Sequence, residues 1–395
     1  MSRLHPAVAS RPCRPFLTCR VTRVAITGAA ALALAACGAL QPPAGAGSGT
    51  AVTSASAPRS GARAAVAPPS FFADIAAGPL GGRGVLQVRD SATGQLVAQD
   101  QRVQATGLAA LADGRTFVVA EPAGNSCATR LYRLRLNDRG QPGRPSRLQV
   151  PELHGELWSL AASGNGRVLG YAVSGCSKGD RGYIGVLHLP SGRTTHWGDV
   201  NLGGVSQGNV ALNGAVSLSA NGRLLAFPAF GLSASSRIIE QAVRLLPTNA
   251  PPGTVARRSR IAWSRPYPPY RPLLVAATLS PGGGTLYTCA TLRQPGHAVR
   301  LSAYRSTTGR LRRTLATLAV TGSPLAGSGY CPIALDGAGR QMLVPYAIRY
   351  SRNPGAGAEL SIAEVAISTG QTAVLKVSLP GTGGMEPATG MSIAW

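Results

Sequence analysis

One motif recurs five times in this chain: a run of small apolar and β-forming residues, a tight turn ending in glycine, and a second apolar run. It reads LAALADGRTFVVA around Gly114, WSLAASGNGRVLGYA around Gly166 and VSLSANGRLLAFPA around Gly222. It returns as AATLSPGGGTLYTCA around Gly283 and PIALDGAGRQMLVPYA around Gly339. Asn165-Gly166 is the strongest of these turn signals, because both central residues of the favoured hairpin turn take positive φ. The successive glycines are 52, 56, 61 and 56 residues apart. A repeat of this kind restricts the chain to architectures in which similar β units stack on one another.

A second hairpin signal alternates with the first. It reads RDSATGQLV at Gly94, LNDRGQPG at Gly140, LPSGRTTHW at Gly192, TNAPPGTV at Gly253, STTGRLRRT at Gly309 and ISTGQTAVL at Gly370. The third and fourth strands of each unit flank it, for example residues 183–189 and 193–197. Each repeat therefore reads as a four-stranded antiparallel meander, and such sheets bury both faces only by stacking, radially in a propeller. Six second hairpins accompany five first hairpins. The first unit offers strands at 71–76, 84–89 and 95–99 but no innermost strand, and residues 390–395 (GMSIAW) resemble one. The expectation is an all-β, six-bladed β-propeller whose four-stranded blades are closed by the C-terminal strand, with seven blades as the runner-up. Closure would remove exposed sheet edges.

Composition agrees with many short strands: 50 glycines, 30 prolines and only 14% charged residues. The SPDGR-like turns and the TG hairpins resemble WD40-like and TolB-like β-propellers of exported bacterial proteins, over about residues 71–395. The resemblance implies a rigid platform. The Trp-Asp dipeptide of WD40 repeats is missing, Gly-His occurs only once, at Gly296-His297, and no functional residue carries over.

The first 36 residues read as an address. Arg11, Arg14, Arg20 and Arg23 precede a thirteen-residue apolar run, 24–36, a secretory-signal pattern too short to span a bilayer core, which takes about 20 residues. The run ends in Leu34-Ala35-Ala36-Cys37-Gly38, which resembles a bacterial lipobox and implies diacylation of Cys37. Ordinary cleavage near Ala33 or Ala35, giving a secreted protein, is the alternative. Residues 37–70, rich in Ala, Gly, Ser and Pro, read as a disordered tether, and 71–395 as the propeller domain. The expected location is the outer face of the cytoplasmic membrane. Outside the targeting region four cysteines remain, Cys127, Cys176, Cys289 and Cys331. An even number in an exported chain reads as disulfides, and repeat positions place Cys127 with Cys176 and Cys289 with Cys331.

The net charge is +24, and only Lys178 and Lys376 among the basic residues are lysines. Arginine enrichment beside Ala, Gly and Pro reads as the imprint of a GC-rich genome, but it still implies salt-dependent attraction to anionic surfaces. The densest basic stretch is ARRSRIAWSRPYPPYRP, residues 256–272, in which Arg257, Arg258, Arg260, Arg265 and Arg271 interleave with Trp263, Tyr267 and Tyr270. Arginine with aromatics suits polyanions; the plainer reading is an outer strand at 257–263 and a Pro-stiffened loop. Glu152, His154 and Glu156 alternate in PELHGELW, so an extended segment would point all three one way, toward a divalent metal or an Arg-bearing partner. The plainer reading is a solvated connecting loop.

Catalytic signatures are sparse: no H-E-x-x-H, P-loop or strand-linked G-x-G-x-x-G occurs, and G-x-S-x-G is matched once, by GVSQG at residues 204–208. A central-channel pair, Asp113 with Asp336, is the carboxylate combination left open. The expected function is a lipid-anchored binding or protein-interaction platform without enzymatic activity or cofactor. Its expected partners are the membrane, through the anchor, and a cell-envelope protein or anionic polymer. A monomer with no nucleic-acid partner is expected. The alternative is a propeller hydrolase, lactonase-like or glycan-cleaving, with a central-channel site.

Overall fold

The computed structural model describes residues 69–395 except 77–83, 125–126, 177–180, 203–209, 213, 234–237, 268–272, 293–296, 321–322, 325–330, 351–356 and 380–391. The signal segment with Cys37, the tether up to residue 68, and Arg271 lie outside the described residues. The described chain is all β apart from one helical turn, Val255–Arg258. Among the described residues no helix is long and apolar enough to cross a membrane.

Turn glycines set the strand ends. Ten of the eleven glycines named above have φ between 63° and 77°, and Gly253 has 154°. Only glycine enters this region without a Cβ penalty. Between the turns, burial follows strand position. The third strand Gly182–His188 is buried along most of its length, whereas the outer strand Thr372–Leu379 alternates exposed and buried residues over its second half. The first has sheets on both faces; the second is half-solvated.

The strands form five sheets. The first orders Ile393–Ala394, Phe71–Ala76, Gly84–Asp90 and Leu96–Ala105. The second contains Gly107–Ala110, Thr116–Pro122, Ala128–Arg135 and Ser146–Arg147, with Leu153–His154 also pairing on the third of these. A central ten-stranded sheet runs from Glu156–Ala162 to Arg260–Pro266. The fourth holds Leu273–Leu279, Thr285–Leu292, Ala298–Arg305 and Leu311–Ala319. The fifth is built on Gln341–Tyr350, Ala358–Ala366 and Thr372–Leu379.

This corrects the expectation of six, or seven, separate four-stranded blades. The architecture is of the β-propeller type, but four blade units are carried by only three sheets, and residues 273–379 fold as two further sheets. The third and fourth units are continuous. The long outer strand Arg193–Leu202 bends at Asp199, the one described non-glycine residue with positive φ, 68°. Before the bend it pairs in parallel with Gly253–Thr254 through Trp197↔Gly253, and after it with Val210–Leu212 through Asn201↔Ala211 and Leu202↔Leu212. Trp197, fully buried, anchors the crossing by donating its indole N–H to Pro251 O at 3.1 Å.

Adjacent sheets pack through separate apolar clusters. Val119 and Leu134 of the second sheet meet Leu86 and Val88 of the first. Leu274 and Leu286 of the fourth meet Ala226 and Leu245 of the central sheet. The last sheet packs back on the first through Phe72, Leu343, Leu360, Leu375 and Trp395. There Ala73↔Ala394 and Asp74↔Ile393 pair, and Ile75 N–H donates to Ser392 O. A buried ion pair joins Asp74 and Arg89 at 2.7 Å, and Arg89 also donates to the Gln87 side chain and to Ser378 O of the last sheet. Burial pushes the Asp74 carboxyl above its usual range, against the opposing pull of Arg89.

The TG hairpins act as joints between sheets. A Cβ on Gly309 would stand 2.1 Å from Ala262 O, and one on Gly370 would stand 2.5 Å from Leu315 O. The second hairpin motif thus meets two demands, a positive φ and close approach of the preceding sheet's outer strand.

Candidate functional site

Glu152, His154 and Glu156 do not share a face. Leu153–His154 pairs with Ala128–Thr129 in the second sheet, whereas Glu156 opens the first strand of the central sheet. Gly155 between them takes φ 119° and turns the chain, which breaks the alternation expected of one extended segment. Glu152 accepts hydrogen bonds from Arg130 at 2.7 Å and Arg147 at 3.0 Å. The Arg130 hydrogen bond holds its carboxyl below the usual range. His154 is exposed, and its backbone oxygen accepts the Tyr183 hydroxyl at 2.8 Å. Among the described residues no group of three His, Cys, Asp or Glu side chains is placed to hold a metal ion.

Asp113 and Asp336 are committed to their own turns. Asp113 accepts from the N–H groups of Arg115 and Thr116 and from the Thr116 hydroxyl at 2.6 Å. Partial burial pushes its carboxyl up, and these hydrogen bonds outweigh that and bring it below the usual range. Asp336, 2% exposed, accepts from the N–H groups of Arg340 and Gln341. The five inner turns form a continuous collar. Gly164 N–H donates to Ala220 O and Ala220 N–H to Pro281 O, both at 2.9 Å. A Cβ on Gly337 would stand 2.6 Å from Ala112 O.

Disulfides join Cys127 to Cys176 and Cys289 to Cys331. The first ties loops of the second and central sheets together and is partly exposed; the second is buried between the fourth and fifth sheets.

The basic stretch divides among three settings. Arg257 and Arg258 sit on the helical turn, not in the outer strand expected at 257–263; that strand is Arg260–Pro266. Arg258 donates to Pro252 O and Arg260 to Ser306 O of the next sheet, each at 3.3 Å. The Arg265 guanidinium lies 5.6 Å from the centre of the Trp263 ring, a cation–π distance. Trp263 in turn packs on Tyr304, with ring centroids 5.8 Å apart.

These residues line a surface groove of about 380 Å³ along the seam between the central and fourth sheets. Ile261, Trp263 and Arg265 form one wall, and Tyr304, Thr308 and Leu311 the other. Two of its aliphatic side chains face solvent: Ile261 is 45% and Leu311 50% exposed. Sequence reasoning missed Ile261, Tyr304 and Leu311, the last two because the groove exists only where two repeats meet. It also missed a signal that was readable. From Gln241 to Leu335 the chain carries 12 arginines and not one Asp or Glu. All ion pairs among the described residues lie outside that run.

Comparison with protein-family models finds no match, and comparison with curated proteins finds none either. Among solved structures the chain is similar to TolB from Acinetobacter baumannii, with 11% identity, 82% of this chain and 66% of that chain covered, and a TM-score of 0.48. It is also similar to the periplasmic gluconolactonase of Pseudomonas aeruginosa, with 16% identity, 79% and 98% covered, and a TM-score of 0.43. A third likeness is to a putative TolB from Agrobacterium tumefaciens, with 11% identity, 83% and 97% covered, and a TM-score of 0.41.

Proposed function

We propose that the protein is an exported, lipid-anchored binding scaffold: a propeller-type body held through Cys37 at the outer face of the cytoplasmic membrane, presenting a docking surface without catalysing a reaction. The observation that carries this reading is the solvent-facing groove at the seam of two sheets, with exposed Ile261 and Leu311 beside Trp263 and Arg265. Exposed apolar side chains beside an aromatic and an arginine are the composition of a recognition site. The Leu34–Gly38 stretch supports the anchor, because two acyl chains hold a protein stably on a membrane. The carboxylates that a channel hydrolase would use, Asp113 and Asp336, instead order their own turns.

Two measurements on intact cells test this together. Metabolic labelling with a fatty-acid probe should mark the wild-type protein and not Cys37→Ala. Chemical crosslinking with mass spectrometry should recover one recurrent envelope partner. Labelling unchanged in Cys37→Ala overturns the anchor. Turnover of a lactone or glycoside by the purified protein overturns the non-catalytic reading.

A further inference from the structure

We propose that the groove between Arg260–Pro266 and residues 304–311 docks an extended acidic peptide segment that inserts one aliphatic or aromatic side chain. The proposal rests on the scaffold reading above and names the partner chemistry of that surface.

Shape is the first argument. The groove is open to solvent, and part-buried Trp263, packed on Tyr304, lies between exposed Ile261 and Arg265 on its lining. Ile261 and Leu311 stand on opposite walls, so an inserted apolar side chain would be covered from both sides. Arg260–Pro266 is also the outer edge of the ten-stranded sheet. The Gly309 hairpin of the next sheet abuts that edge at Ala262 O, so side chains rather than strand addition would hold the peptide.

Charge is the second argument, and it is independent of the first. The arginines of the acid-free run that make hydrogen bonds spend them on neutral acceptors. Arg244 donates to Ala256 O and to Ser259, Arg260 to Ser306 O, and Arg313 to Ser368 O. Arg305, Arg310 and Arg312 are exposed on the fourth sheet beside the groove. Glu240 stands across from Pro266, one residue from Arg265, and its charge acts on Arg244. Elsewhere the same protein pairs its arginines with carboxylates, as in Arg102–Asp100 and Arg130–Glu152. Positive charge is therefore in excess over this seam, with Glu240 the one carboxylate beside it among the described residues, and an anionic ligand complements that excess. A flat anionic membrane matches the charge but not the concavity, since the apolar side chains line a cleft rather than cap a convex surface.

The test uses the full mature chain, oxidised, and a fluorescein-labelled dodecapeptide of alternating Glu and Val with a central Leu, read by fluorescence polarisation. Saturable binding is expected, weakening as salt rises. Arg265→Glu and the double variant Ile261→Ser/Leu311→Ser should each weaken it about tenfold or more. Arg265→Gln should fall between wild type and Arg265→Glu. Val374→Ser, at an exposed apolar position on the last sheet's outer strand, should bind like wild type. Equal affinity in all these variants overturns the proposal. So does equal affinity for polyglutamate, or binding only to vesicles of phosphatidylglycerol and phosphatidylcholine. If no peptide binds while intact cells still yield a crosslinked partner, this groove assignment fails and the scaffold reading stands.

Discussion

Replacing Trp395 with alanine perturbs the buried contact between the first and last sheets. The side chain is 2% exposed and lies among Phe72, Leu343, Leu360, Leu375 and Ile393. Its indole N–H is shared between Ser91 Oγ at 3.0 Å and Pro69 O at 3.3 Å. Truncating a buried aromatic costs about 3–5 kcal/mol, because the cavity relaxes only in part. The lost hydrogen bond adds about 1 kcal/mol. The sum, roughly 4–6 kcal/mol, is a large share of the ~5–15 kcal/mol that holds a native domain together. At about 2 °C per kcal/mol for a domain of this size, Tm should fall by roughly 8–12 °C. Trp395→Phe keeps most of the apolar volume and loses the donor, so it should cost only about 1–2 kcal/mol. Circular-dichroism melts of the mature, oxidised chain decide the matter. If Trp395→Ala melts within about 2 °C of wild type, the first and last sheets do not depend on this contact and the reasoning fails.

Other consequences follow from turns, charges and disulfides. Gly309→Ala must place a Cβ against Ala262 O at positive φ and should cost about 2–4 kcal/mol by urea unfolding. Gly282→Ala, with no neighbour within 4 Å, should be nearly neutral; equal costs would refute the joint. The Arg102 hydrogen bond holds Asp100 below the usual carboxylate range. Its stabilisation is thus complete above the unfolded value of about 3.9 and is lost as pH falls through the folded value. Asp100→Asn should flatten the acid limb of the stability profile below pH ~4; a limb parallel to wild type contradicts this. Mild reductant should open the part-exposed Cys127–Cys176 bridge first. Cys289–Cys331, whose cysteines are 0% and 1% exposed, should resist until the domain unfolds, and alkylation mass spectrometry at graded dithiothreitol reads the order.

Much of the local structure was legible because turns are governed by local chemistry. Gly114, Gly166, Gly222, Gly283 and Gly339 had to leave the region open to other residues, and they do. The sheet count was not legible. Alternating apolar residues announce antiparallel neighbours, but nothing in Arg193–Leu202 signals a bend at Asp199 followed by parallel pairing with Val210–Leu212. The Glu152, His154 and Glu156 alignment failed for a related reason. Alternation holds only inside one strand, and Gly155 hands the chain from one sheet to the next. The basic stretch was found, but its groove was not. Trp263 and Leu311 come together only through stacking of consecutive repeats.

The proposed groove would place a partner at the seam between the central and fourth sheets. A photo-crosslinking amino acid placed at position 311 on intact cells tests it most directly, with position 374 as the matched control on another outer strand. Leu311 and Val374 are comparably exposed, 50% and 46%. Capture from position 311 and not 374, mapping to an apolar residue flanked by Asp or Glu in the partner, is the predicted result. Equal capture from both positions, or capture from 374 alone, would contradict the account.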